Sequence, residues 1–213
     1  VSANAGNKPY NIENVSPDAH LAPSVGDSSS KTSSKAWHKI DGVCYNGSGK
    51  KVEGAITRGM DVSEWQGKIN WKEAKKDLDF AFVRISYGTR HLDDYYAYNM
   101  TEAEAADVPV GTYVYSLAKT NKEALAEAQL AIRQMQGHKV SYPVAFDLED
   151  EATLGTLTRK EISQIALTFC DEIRKAGYTP ILYMNLNWYN NFVDWNVLEG
   201  SGLDVWIASY GDT

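Results

Sequence analysis

From Thr57 onward the chain alternates between two hydrophobic periods. Short, nearly all-apolar runs rich in Val, Ile, Phe and Tyr fall at Arg58–Ser63, Phe80–Tyr87, Pro109–Leu117, Tyr142–Glu149, Pro180–Asn185 and Val205–Tyr210, each the length of a strand. Between them apolar positions recur at helical spacing. The clearest case follows Thr158, where Ile162, Ile165, Ala166, Phe169 and Ile173 share one face and Gly177 marks the stop. Asn70 with Glu73, Thr120 with Glu123 and Thr158 with Glu161 each predict a capping box, in which the cap side chain and the Glu satisfy orphan backbone donors reciprocally. Weaker helical patterns cover Tyr96 to Ala106 and Leu186 to Leu198. Strands that are apolar at consecutive positions bury both faces, which predicts an α/β protein with a parallel sheet covered by helices. No Gly-rich phosphate fingerprint follows the first run, where Met60-Asp61-Val62-Ser63-Glu64-Trp65-Gln66 stands, so a TIM-like (β/α) barrel is predicted over a nucleotide-binding sheet.

The opening of the chain has a different character. Residues 1–35 are dominated by Ser, Asn, Pro, Lys and Asp, too polar to offset their ordering entropy, and are predicted to be a flexible tail or linker. Residues 36–56 surround Asp41-Gly42 and Asn46-Gly47 with Trp37, Ile40, Val43 and Tyr45, the pattern of a small β-hairpin preamble. Residues 57–213 are then the barrel domain. The 213 residues fit one sizeable domain with an appendage. With 21 Lys and Arg against 28 Asp and Glu, the net charge of −7 disfavours nucleic acid and anionic membrane surfaces as partners. No apolar run is long enough to span a bilayer. Two cysteines, Cys44 and Cys170, make neither a disulfide framework nor a metal quartet, and are read as two inert thiols, with one bridge between them as the alternative.

In a (β/α) barrel the chemistry sits at the carboxyl ends of the strands. There the chain places Asp61 and Ser63, Ser86 and Tyr87, Tyr113 and Tyr115, Asp147 and Glu149, Tyr183 and Asn185, and Ala208 with Tyr210. In Phe146-Asp147-Leu148-Glu149 the two acids lie two apart and point the same way, while Leu148 faces the helices. With Asp61 arriving from the first strand, mutual repulsion raises one pKa, so that a protonated acid sits beside an ionised one. That pairing is what glycoside hydrolysis requires. Two other readings stay open: a solvated acidic loop after a strand, and a hard-cation site for Mg²⁺ or Ca²⁺. The tyrosines suit either sugar stacking or barrel-interior packing, and Trp65, Trp71, Trp188 and Trp206 read first as core. His91 and His138 have no Cys or His at ligand spacing, so zinc is not expected. Neither Ser63 nor Ser86 sits in the elbow motif of a serine hydrolase.

Five segments taken in order resemble glycoside hydrolase family 25, the Chalaropsis-type lysozymes or N-acetylmuramidases. They are Arg58-Gly59-Met60-Asp61-Val62-Ser63-Glu64-Trp65-Gln66-Gly67 with Ile69-Asn70-Trp71, then Phe80–Gly88, Gly111-Thr112-Tyr113, Asp147-Leu148-Glu149, and Leu203–Tyr210. The resemblance runs through residues 58–213. It implies a flattened eight-stranded barrel with fewer helices than a regular one, and hydrolysis of the β-1,4 bond between N-acetylmuramic acid and N-acetylglucosamine in bacterial peptidoglycan. By that resemblance Glu149 is the general acid, and Asp147 either attacks the anomeric carbon or steers the substrate's 2-acetamido group to do so. Asp61 completes the carboxylate cluster, and Tyr87, Tyr113, Tyr115, Tyr183, Asn185 and Trp206 line the sugar groove. No metal or cofactor is called for. The partner is the peptidoglycan glycan strand, the place of action extracellular or in the cell wall, and the protein a monomer. A non-catalytic wall-binding module on the same barrel is the alternative. The family closes its barrel with further strands after the one that ends near Tyr210, so the natural protein is expected to continue beyond Thr213.

Overall fold

The computed structural model describes residues 37–46 and 48–208. The predicted tail, residues 1–35, and the end of the last predicted strand at Tyr210 lie outside them. The hairpin forms as its turn chemistry requires: β1 (His38–Ile40) pairs antiparallel with β2 (Val43–Tyr45). Asp41 and Gly42 between them take φ of 50° and 79°, the left-handed pair that a tight two-residue hairpin needs. Lys39 ties the hairpin to the main sheet through a 2.8 Å ion pair with Asp79. Cys44 and Cys170 are both buried and free, so the bridge does not form.

Six strands run parallel in sequence order: β3 (Gly59–Val62), β4 (Phe80–Tyr87), β6 (Val110–Tyr115), β7 (Val140–Asp147), β8 (Pro180–Asn185) and β9 (Asp204–Ala208). A two-residue strand that the hydrophobic pattern did not predict, β5 (His91–Leu92), folds back antiparallel on the end of β4. The order never reverses, so the connections all wind the same way and stack their helices on one face. The sheet curls into a half-barrel, and among the described residues β3 and β9 do not pair with each other.

Helices α1 (Trp71–Ala74), α2 (Tyr96–Ala105), α3 (Asn121–Met135), α4 (Glu151–Leu154) and α5 (Arg159–Lys175) precede two short ones, α6 (Leu186–Asn191) and α7 (Trp195–Leu198). The single helix expected over Leu186 to Leu198 is thus two, broken before Asp194, whose side chain caps the second. Of the three predicted capping boxes only Thr158 with Glu161 is reciprocal. Asn70 and Thr120 each accept the backbone N–H three residues on. The Glu123 carboxylate reaches one residue further back, to the Lys119 N–H at 2.7 Å.

Strand alternation divides the apolar side chains into two cores. Val62, Ala81, Val83, Ile85, Val114, Val144, Phe146, Leu182, Met184 and Val205 face the helices and pack on Met100, Ala128, Ile162, Ile165 and Phe169. The other face carries a smaller aromatic cluster of Phe80, Phe82, Ala145, Ile181 and Trp206, with Tyr113, Tyr142 and Tyr183 against it. Two irregularities interrupt the ladder. Between β4 and β6 the register passes from Arg84↔Tyr113 to Ser86↔Val114 and Tyr87↔Tyr115, so β4 carries one extra residue. Ser86 therefore shares the row of Val114, and Tyr87 shares that of Tyr115. Between β6 and β7 the register shifts around Gly111, beside Pro143, a residue that has no N–H to give a ladder.

Gly111 lies where these backbones approach closely. A Cβ there would stand 2.5 Å from the Pro143 carbonyl oxygen and 2.6 Å from the Phe82 ring. Because the obstacle includes backbone, Gly111→Ala is expected to cost roughly 1–3 kcal/mol of stability. Urea unfolding measures this, and an unchanged midpoint would contradict the close approach.

Candidate functional site

The residues on the inner rows at the carboxyl end of the sheet enclose a cleft of about 520 Å³. The register explains who meets whom. Tyr115, Asp147, Tyr183 and Trp206 stand opposite one another across β6, β7, β8 and β9 in one continuous row. Asp61 enters from β3, and Glu149 stands two residues beyond Asp147, past the strand end. Asp61, Asp147 and Glu149 all line the cleft, as do Tyr87, Tyr113, Tyr115, Tyr183 and Trp206.

Asn185 does not line it. Its backbone and side-chain amides donate to the Glu149 carboxyl from behind, while its Oδ1 caps α6 by accepting the Trp188 N–H at 3.0 Å. One amide side chain thus fixes a helix start and an acid together.

Burial dominates the electrostatics of the acids. Asp147, 5% exposed, is pushed well above the usual carboxylate range by loss of solvent, then by the negative charges of Glu149 and Asp61, with Arg84 pulling the other way. Glu149 is also raised by burial and by Asp61, against the two Asn185 amides that favour its charge. The pair therefore keeps a proton to higher pH than an isolated carboxyl would. Asp147 Oδ1 and Glu149 Oε1 are buried with no hydrogen-bond partner in the protein. Buried polar atoms normally find partners, so these two, on acids that line the cleft, stand out.

Aromatic walls flank the acids. Tyr87 stacks on Tyr115 at 4.8 Å between ring centroids, and its hydroxyl donates to Asp150 Oδ2 at 3.2 Å. Across the cleft Tyr183 meets Trp206 edge to face at 4.6 Å, and Trp206 is backed by Phe82. Trp206 is both core and wall: nearly buried, yet one of its edges lines the cleft. Trp71 and Trp188 are core, as expected.

Trp65 is not core. It is 72% exposed at the rim, on a single 3₁₀ turn, Glu64–Gln66. The sequence pattern did not predict that turn. It is held by a full capping box, with the Ser63 N–H donating to Gln66 Oε1 at 2.8 Å and Ser63 Oγ accepting the Trp65 N–H. Underneath, Arg84 is buried among apolar neighbours of β4, and its Nε donates to Asp93 Oδ2 at 2.9 Å while its Nη2 pairs with Glu64 at 3.0 Å. The same Asp93 oxygen accepts the Glu64 N–H at 2.8 Å, and His91 Nε2 meets Glu64 Oε2 at 2.8 Å. Sequence reasoning passed over Arg84, Glu64 and Asp93, and weighed His91 only as a zinc ligand. The available signal was Arg84 itself, a charge inside the run Phe80-Ala81-Phe82-Val83-Arg84-Ile85, which must find partners if it is buried. Among the described residues no group of three or more His, Cys, Asp or Glu side chains is arranged to hold a metal ion.

Residues 60–213 match the model of the glycosyl hydrolases family 25. The chain is 26% identical over 166 residues to the uncharacterized protein YegX of Escherichia coli K12, covering 71% of this chain and 56% of that one. It is 26% identical over 164 residues to lysozyme M1 of Streptomyces globisporus, covering 72% and 55%. It thus spans just over half the length of these relatives. Its fold is shared with a family 25 glycosyl hydrolase from Bacillus anthracis (TM-score 0.63, 21% identity, 85% of this chain and 76% of that one). It is shared also with the bacterial lysozyme from Streptomyces coelicolor (TM-score 0.60, 22% identity, 76% and 77%).

The raised carboxyls make a prediction about stability. A native pKa above the unfolded one means that the folded chain binds the extra proton, so stability falls as pH rises from the unfolded carboxyl value toward the native one. Asp147→Asn removes that loss. Its melting temperature is expected to exceed wild type at about pH 8 and to match it near pH 4, by calorimetry. Equal melting at both would show that Asp147 is not held against its charge.

Proposed function

The chain belongs to the glycosyl hydrolases family 25, and from that premise we propose that the cleft hydrolyses the β-1,4 bond between N-acetylmuramic acid and N-acetylglucosamine in bacterial peptidoglycan. The observation that carries this reading is the pair of buried, unpartnered oxygens on Asp147 and Glu149, two acids that line one cleft between aromatic walls. In it Glu149 protonates the leaving glycosidic oxygen. The two Asn185 amides aim that acid without neutralising it, and burial keeps it protonated where an exposed Glu would be ionised.

Asp147 supports the positive charge that develops at the anomeric carbon. Arg84 helps it ionise, since a guanidinium nearby opposes the burial and the two like charges that hold its proton on. Asp61 completes the negative field on the side of β3. Tyr87 with Tyr115 and Tyr183 with Trp206 are the flat faces that receive sugar rings. Trp65 extends that surface at the rim, on a turn too well tied to move away. The substrate lies outside the cell membrane, so the protein acts at the cell wall or beyond it, and nothing in the cleft calls for a second copy of the chain.

Release of soluble fragments from purified cell walls tests this reading. Glu149→Gln keeps the shape and loses the proton, and is expected to lower the rate by on the order of 10²–10⁴. Equal release by both proteins would remove Glu149 from the acid role. A chain that binds insoluble walls yet creates no reducing ends would be a wall-binding module. Because the acid must be protonated and its partner ionised, the rate is expected to peak on the acidic side of neutral and fall as pH rises through the Glu149 pKa. A flat profile would contradict the pairing. Trp65→Ala is expected to raise KM several-fold with little change in kcat or melting temperature, since the ring is exposed and packs on little. An unchanged KM would leave Trp65 without a part in glycan binding.

A further inference from the structure

A second buried acid lies outside the cleft. Glu127 sits on α3 between Ala124, Ala128 and Ala131, on the helix face that packs toward the sheet, and is only 2% exposed. Placing a carboxyl there is costly unless its lone pairs are used. Both oxygens are. Ser116 Oγ donates to Oε2 at 2.8 Å and the Leu117 N–H donates to Oε1 at 3.0 Å. Ser116 Oγ in turn accepts the Ala118 N–H at 3.2 Å. One carboxyl thus organises the whole turn that leaves β6.

That turn reaches the cleft acids by two backbone links. The Ser116 N–H donates to the Asp147 carbonyl oxygen at 3.0 Å, just beyond the last ladder pair of β6 and β7. The Gly88 N–H donates to the Tyr115 carbonyl oxygen at 2.8 Å, and Leu117 packs against Gly88, so the tip of β4 is tied to the same turn. Tyr87, Tyr115 and Asp147 stand on these three tips. We propose that Glu127 is a positioning residue for the cleft: it fixes residues 116–118, and through them the strand tips that present Tyr115 and Asp147.

The inference rests on the reading of the cleft as the hydrolytic site. It also gives that site a link to pH. Burial pushes the Glu127 carboxyl up to about 7, with Glu123 on the same helix adding repulsion and the two hydrogen bonds opposing. The ionised form accepts both bonds, and these charge-assisted bonds are the stronger ones. The protonated form has one acceptor fewer for the turn. The tips are therefore held more firmly above neutrality than below it.

The test uses Glu127→Gln, which keeps the size but cannot titrate or accept both bonds, and Ser116→Ala, which removes one donor. In wild type the backbone amide resonances of Ser116 and Leu117 are expected to shift together with a midpoint near the Glu127 value, about 7, and in Glu127→Gln to stay flat. On cell-wall substrate Glu127→Gln is expected to lose on the order of tenfold in kcat with KM nearly unchanged, as for small misplacements of reacting groups. The double variant is expected to be no slower than the worse single one, because both act through one turn. Stability supplies a control. Native Glu127 binds a proton between its ordinary value of 4.5 and about 7, so wild type loses stability across that window and Glu127→Gln does not lose that share. A folded Glu127→Gln with wild-type kcat and pH profile would overturn the proposal, as would wild-type amides that do not titrate. If wild type releases no fragments while its amides titrate as expected, the hydrolytic reading fails and the hold of Glu127 on the turn stands.

Discussion

Negative charge brought out of water is the constraint around which this half-barrel is organised. Three carboxyl groups stand at the mouth of an otherwise apolar sheet, where each raises the cost of ionising the next. Everything adjoining them moderates that repulsion to a different degree. Arg84 counters it from below, and is itself kept in place by Glu64 and Asp93. Asn185 offers two amides to Glu149 alone. The backbone carbonyl of Asp147 accepts the Ser116 N–H from the turn after β6, which fixes the strand tip that carries its side chain. The result is a set of acids unequal in surroundings, which is what an acid and a base on one site require.

Much of this was legible in the order of residues, for a physical reason. Strands buried on both faces must be apolar throughout, and β4 and β8 begin and end where the apolar runs of Phe80–Tyr87 and Pro180–Asn185 do. Asp147 and Glu149 stand out because an apolar run ending in paired acids has few structural uses. What escaped was whatever depends on chain segments far apart in sequence. Glu64, Arg84 and Asp93 are ordinary charges until the fold brings them within 3.0 Å of one another. The two-residue β5 has no period to detect. Trp65 reads as core because tryptophan usually is, and only the capping of its short turn keeps the ring outside. Asn185, read as a groove residue, is occupied behind Glu149 because it also begins a helix.

The two apolar clusters divide the labour. The larger, between sheet and helices, is aliphatic and holds the strands at fixed spacing. The smaller is aromatic and grades into the walls of the cleft, so that Phe82 supports Trp206 and Trp206 supports Tyr183. Binding surface and packing surface are continuous on that side. On the other, Tyr87 and Tyr115 rest on strand tips rather than on core, and are steadied by polar contacts.

The extra residue of β4 shows what such tips allow. Up to Arg84 the strand counts in step with its neighbour, and after Ile85 it counts one behind. Were the bulge flattened with every residue kept, Ser86 would fall opposite Tyr115 and the phase of the final residues would invert, so that the hydroxymethyl of Ser86 would face the acids and the phenol of Tyr87 would turn to the helices. A single-codon deletion of the surplus residue would instead leave Ser86 opposite Val114 and Tyr87 opposite Tyr115, and so keep the aromatic wall without the bulge. The shape of this side of the groove is therefore written in the chain's counting as much as in its choice of side chains.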